Sequence, residues 1–173
     1  MRCSNFDNTN IKNHVLHNTP VSSTDPRNLP HYFSGYTDGE GCFCISINKS
    51  NRHKFGWEIR PSFSVSQNRN RSQVLEMLKN YFDCGSLRPD RSDNTIKYEI
   101  RSLSDLINKV IPHFEKYPIL SLKRKDFDLF AKVCYLMMLG EHLTKSGFNT
   151  IVDLSYQMNE SGKRKYKRSE IKI

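Results

Sequence analysis

The chain has 173 residues, 36% of them hydrophobic and 26% charged, which suits one globular domain with its own core and excludes a fibrous protein. No apolar run approaches the length of a membrane-crossing helix, and Met1-Arg2-Cys3-Ser4-Asn5-Phe6 lacks the apolar stretch of a secretion signal, so an intracellular protein that does not engage membranes is expected. A formal charge of +9 and a pI near 9.4 favour a polyanionic partner, usually nucleic acid.

Residues 1–28 are rich in Asn, Ser, Thr and Asp, with Pro20 and Pro26 and little periodicity, and read as a flexible or loosely docked extension. His14 and His17 stand three apart in that stretch without metal-ligating neighbours. The five cysteines are odd in number and form no Cys-x-x-Cys pair, and Cys42 and Cys44 share one face of a strand, so all read as reduced packing residues.

Asn28-Leu29-Pro30 offers a polar cap and a first-turn proline to a helix over 31–39. Gly35 and Gly39 fall four apart on one face of it, where two backbones can approach closely. Glu40 ends the helix, and Gly41 supplies backbone freedom for the turn into an apolar strand. On spacing alone, a plain helix-to-strand turn with a solvated Asp38/Glu40 pair fits equally well.

Two strands follow. In 42–48, Phe43, Ile45 and Ile47 alternate with small or polar residues, and in 57–67, Trp57, Ile59, Phe63 and Val65 alternate with Glu58, Arg60 and serines; Pro61 suggests a strand edge or a bulge. Helical spacing over 72–82, a second hairpin over 86–91 and 95–101 turning at Ser92-Asp93-Asn94, and an amphipathic helix over 104–114 complete an αββαββα order. An apolar helix over 126–139 and one capped by Thr144 and running to about 158 come next, and the basic residues of 161–173 suggest a mobile arm.

The segment Phe33-Ser34-Gly35-Tyr36-Thr37-Asp38-Gly39-Glu40-Gly41 resembles the LAGLIDADG motif of homing endonucleases, with both acidic positions in register and departures at Ser34, Tyr36, Thr37 and at Glu40, where aspartate is commoner. The resemblance implies an α+β LAGLIDADG endonuclease fold over 29–160: an αββαββα core, an antiparallel saddle-shaped sheet and extra C-terminal helices. It puts divalent-metal binding on Glu40, with the Gly39 carbonyl as a second ligand, and two or three Mg²⁺ ions in the active site of a dimer. The stretch 63–71 is similar to the strand-end segment of single-motif algal chloroplast endonucleases, which puts water positioning on Gln67 and a phosphate-facing cation on Arg71. Leu122-Lys123-Arg124-Lys125 is similar to their basic segment and makes Lys123 the lysine near the scissile phosphate.

A single motif copy implies a homodimer paired through Ser34, Gly35 and Gly39. The outward residues of the hairpins, Ser46, Asn48, Arg52, Glu58, Arg60, Ser62, Ser64, Arg88, Lys97 and Arg101, become candidates for reading base edges in double-stranded DNA. The leading expectation is an intron-encoded DNA endonuclease making a staggered break at a long pseudo-palindromic site, in an organelle (chloroplast or mitochondrion) or a bacterial cytoplasm. An RNA-binding maturase acting on its host intron, and a cleavage-inactive DNA-binding protein on the same fold, are the alternatives.

Overall fold

The computed structural model describes residues 28–90, 94–160 and 162–173. The expected N-terminal extension, with Cys3, His14 and His17, and the tip of the second hairpin lie outside them. The element order is α1 (Leu29–Glu40), β1 (Gly41–Lys49), β2 (Trp57–Asn68), α2 (Gln73–Phe82), β3 (Ser86–Pro89), β4 (Thr95–Ile100), α3, α4 (Lys123–Met138) and α5 (Lys145–Tyr156). Helix α3 is built from three abutting segments, Leu103–Asp105, Leu106–Val110 in π geometry and Ile111–Lys116.

All four strands are antiparallel, in the order β1-β2-β4-β3. The long strand β2 pairs with β1 from Trp57 to Val65, but β4 joins it only from Phe63 onward. Pro61 therefore sits opposite Ile45 in a stretch whose other edge is open, so its missing N–H leaves no ladder bond unmade. The register runs through it without a bulge.

One sheet face carries Phe43, Ile45, Trp57, Ile59, Phe63, Val65, Tyr98 and Ile100, all buried beneath the helices. Phe43 is the hub, its ring 5.2–5.4 Å from those of Phe63, Phe114, Phe127 and Phe130. The 104–114 helix departs from expectation because Pro112 has no N–H and its ring crowds the preceding turn; the π segment just before it takes up the misfit.

The basic C-terminal stretch is packed, not free. Ile171 is buried, Trp57 Nε1 donates to the Lys172 carbonyl at 3.3 Å, and Arg168 pairs with Asp153 at 2.5 Å. Tyr166 meets the Trp57 ring edge-on with centroids 5.1 Å apart. Ile171 and the Tyr166 ring inside this charged stretch gave the chain something to bury there.

Helix α1 turns Phe33, Ser34 and Thr37 inward. Ser34 is thus not an interface residue: Ser34 Oγ donates to the Tyr117 carbonyl at 2.7 Å and lies 3.2 Å from His113 Nε2, within the chain's own core. Its one proton being used, Ser34 can only accept from His113, so Nε2 carries the imidazole hydrogen and Nδ1 accepts from the Tyr81 hydroxyl at 3.0 Å. Asn28 does not cap with its side chain; only its carbonyl is used, by the Tyr32 amide.

Burial, helped by nearby His31, lowers the His113 pKa to about 4. As pH falls below the ordinary histidine value the unfolded chain takes up this proton while the folded chain does not. The stability is full above pH ~6.5 and drains away between there and pH ~4, by roughly 3 kcal/mol for this one group. Urea denaturation across that range should show a steep decline that flattens in His113→Phe; parallel curves for both proteins would contradict the buried neutral imidazole.

Candidate functional site

Helix α1 passes into β1 with no linking residue, so the side chain of Glu40 sits at the junction, exposed. Gly41 is needed there for room rather than for an unusual backbone. Its φ of −85° is open to any residue, but a Cβ would lie 2.4 Å from Thr37 Cγ2 and 2.7 Å from the Thr37 carbonyl oxygen. Glu40 makes no hydrogen bond or ion pair with any described residue, whereas Asp38 is fully engaged: both its oxygens accept from Ser121, one from the amide at 3.1 Å and one from the hydroxyl. The two acidic positions of the motif thus have separate uses.

Lys123 begins α4 and reaches back to the end of α1. Its Nζ donates to the carbonyls of Thr37 at 2.9 Å and Asp38 at 2.7 Å, and stands 3.5 Å from that of Gly39. These are carbonyls a helix leaves without intrahelical donors, at the negative end of its dipole, so an ammonium is well placed. Gln67, near the end of β2, donates through Nε2 to the Tyr36 hydroxyl at 2.7 Å, and its Oε1 accepts from the Asn68 amide at 2.7 Å. Tyr36 lies one turn before Glu40. Gln67 and Lys123 therefore both converge on the last turns of α1. Arg71 does not join them: it ends a short turn, Arg69–Arg71, is exposed, and makes no hydrogen bond or ion pair to a described residue.

The sheet face opposite the core carries the other candidates. Ser46 and Asn48 lie on β1, facing Arg60 and Glu58 of β2. Arg60 Nη2 donates to both Glu58 oxygens at 2.8 Å, so this pair presents neither free charge alone. Ser62 and Ser64 sit on the expected face but are only 7% and 4% exposed, as the floor beneath longer neighbours, and do not project as free base-reading groups. Arg52 is exposed in the β1–β2 loop, and Arg88 lies opposite Lys97 on adjacent strands.

A residue outside the expected set stands in the middle of this face. Glu99, 6% exposed, binds Arg101 at 2.8 Å and lies 3.7 Å from Lys97. Its strand spacing to Lys97 and Arg101, two residues either way, was the available signal. Tyr36 and Ser121 left no comparable signal, and Asp38, though an acidic position of the motif, gave none for its partner, because these contacts span long sequence separations.

Glu40 and the Gly39 carbonyl are hard oxygen donors of the kind Mg²⁺ prefers, and the unengaged Glu40 carboxylate fits such a role. No group of three or more His, Cys, Asp or Glu side chains fit to hold a metal occurs among the described residues.

Residues 33–134, more than half the chain, match the LAGLIDADG endonuclease family model, and the chain belongs to that family. It has the LAGLIDADG endonuclease fold. Among solved structures it is similar to the homing endonuclease I-TnaI (33% identity, TM-score 0.73, covering 82% of this chain and 92% of that one). It is also similar to I-LtrWI bound to its target DNA (36% identity, TM-score 0.75, covering 77% and 45%). A probable intron-encoded endonuclease of Neurospora crassa is 30% identical over 131 residues, 75% of this chain; the match spans only 29% of that relative's length.

Gly41→Ala should lower unfolding free energy by ~1–3 kcal/mol, since Thr37 backbone cannot yield. At Gly39 a Cβ meets nothing within 4 Å, so Gly39→Ala should instead stabilise the isolated subunit by up to ~1 kcal/mol. Thermal melts of the two variants with shifts of the same sign would refute this account of the helix end.

Proposed function

We propose that this protein is a site-specific DNA endonuclease that works as a homodimer with divalent metal ions. The observation that carries the reading is the foot of α1, where a free carboxylate, Glu40, shares the last helical turns with the Lys123 ammonium and the Gln67 amide. Phosphodiester hydrolysis needs charge compensation on the phosphate and an oriented water. Lys123 offers the first and Gln67, steadied by Tyr36, the second. Mg²⁺ bound by Glu40 and the Gly39 carbonyl supplies Lewis-acid charge and a more acidic water. Arg71, exposed and without a side-chain partner among the described residues, is available to a DNA phosphate.

The dimer rests on a physical oddity. Gly35 and Gly39 weaken α1 by up to ~1 kcal/mol each relative to alanine, yet no described residue lies within 4 Å of the Cβ either would carry. Close packing against α1 of a second copy would give this bare face its use. Leu120 and Leu122, 89% and 94% exposed, flank the Ser121 that binds Asp38, so they stand beside the same helix and extend that apolar contact. A twofold axis there brings the two Glu40 side chains together, one for each strand, and makes a staggered break at a pseudo-palindromic site the expected outcome.

Lys97, Arg101, Arg88, Arg60, Arg52, Asn48 and Ser46 then face the major groove, where arginine and lysine pair with guanine and asparagine with adenine. Glu58 and Glu99 orient these cations. Ser62 and Ser64 act through water or through the shape of the groove floor. The similarity to relatives named as intron-encoded endonucleases supports an origin in an intron, hence an organellar or bacterial compartment, with host intron RNA as a second partner to test.

Glu40→Gln should reduce Mg²⁺-dependent cleavage of a selected duplex by at least ~100-fold while leaving the Kd for DNA nearly unchanged. Cleavage at the unaltered rate would remove Glu40 from the chemistry. Gly35→Leu should leave a folded protein that sediments as a monomer; a dimer of undiminished stability would exclude the glycine face as its interface. A wild-type protein that binds duplex DNA without cutting it, or that prefers structured intron RNA, would favour the inactive binder or the maturase.

A further inference from the structure

Lys123 is held by its own chain through a short relay that begins at the motif's first acidic residue. The Asp38 carboxylate accepts from the Ser121 amide at 3.1 Å and from the Ser121 hydroxyl. Ser121 Oγ in turn accepts from the Lys123 backbone amide at 3.1 Å, and the Ser121 carbonyl accepts from the Arg124 amide at 3.0 Å. The lysine then closes the loop, its Nζ donating to the Asp38 carbonyl at 2.7 Å. Asp38 so fixes both ends of Lys123, the backbone through its side chain and the ammonium through its carbonyl.

We propose that Asp38 and Ser121 are positioning residues for Lys123, a latch that sets the ammonium against the last carbonyls of α1. This rests on the endonuclease reading for its consequence but not for its existence. A flexible four-carbon lysine stem has many rotamers, and freezing one requires a fixed backbone origin as well as a fixed end point. The latch supplies both. Because Leu120 and Leu122 on either side are almost wholly exposed, no apolar packing by them restrains this turn within the monomer, and the Asp38 contacts join the buried Ile119 in holding it.

Two measurements test it together. The rate at which Lys123 is acetylated by an amine-reactive reagent, read by peptide mass spectrometry on the metal-free protein, reports the latch without any cleavage. Ser121→Ala should speed Lys123 roughly 10-fold, about the worth of one lost hydrogen bond, while other lysines keep their rates and Ser121→Thr restores protection. An unchanged Lys123 rate in Ser121→Ala overturns the proposal. If Ser121→Ala unfolds, all lysines accelerate together, and Asp38→Asn, which removes one of the two carboxylate bonds, carries the same test with the same two outcomes.

Single-turnover cleavage with Mg²⁺ supplies the second readout. Ser121→Ala should be ~10–100-fold slower with DNA affinity in Ca²⁺ unchanged, and Lys123→Met should be no slower when Ser121→Ala is added. Full additivity of the two losses would mean that Ser121 acts independently of Lys123 and would sink the positioning role. Should wild-type protein fail to cut any duplex, the endonuclease reading falls, and the acetylation contrast still decides the latch.

Discussion

A helix that runs straight into a strand leaves its last carbonyls without the donors a turn would provide, and this constraint shapes the whole site. The Gly41 amide reaches the Thr37 carbonyl, and the cation that satisfies the rest comes from α4, 86 residues away from Thr37 in the chain. Supplying it ties α1 to α4 and sets an ammonium at the negative end of the α1 dipole. The same abrupt junction presents Glu40 outward. One structural need, a capped helix end, thus sets a cation and a carboxylate at the same end of α1. It also explains why Gly41 tolerates no side chain: the strand must leave the helix tangentially, against Thr37.

Much of the fold was legible because its two periodicities are clean. The alternation of Phe43, Ile45 and Ile47, and of Trp57, Ile59, Phe63 and Val65, sorts the sheet's faces, and the structure keeps that sorting. Three elements escaped for definable reasons. Pro112 sits inside an apolar pattern that reads as plain helix, and only the chain's inability to hydrogen-bond there creates the π turn. The C-terminal stretch reads as a basic arm because its charges outnumber the residues that anchor it, Tyr166 and Ile171. Ser34 occupies the motif's interface register, but a small polar side chain beside His113 and an open carbonyl is drawn inward. In the last two cases a long-range partner, invisible to local pattern, decided the outcome.

The sheet face shows the same limit in electrostatic form. Spacing identified outward cations but not that most of them are already paired: Arg60 with Glu58, Arg101 with Glu99, Lys97 near the same carboxylate. Such pairs on an exposed face add little stability. What they do is restrict long side chains to one orientation before any partner arrives, which lowers the ordering entropy of binding. A nearly buried Glu99 with two cations is better placed to do this than Glu58, whose carboxylate is itself partly exposed and holds a single arginine.

On the proposed reading, pairing and chemistry are not independent properties of this molecule. The helix that exposes Gly35 and Gly39 is the helix that ends in Glu40, so any packing that consumes the glycine face also sets where the carboxylate lies. Glu40 and the Gly39 carbonyl offer two hard oxygen donors, and on the same reading a second copy brought in along α1 would add a matching pair close by, with water and substrate oxygens completing the shell of a hard cation. The latch from Asp38 to Lys123 lies on this same helix end, and its exposed flanking leucines stand where a partner helix would approach. Association along α1 would therefore cover those leucines as well. On this reading the second subunit compensates the weakness of a glycine-bearing helix and adds oxygen donors beside Glu40 in one step.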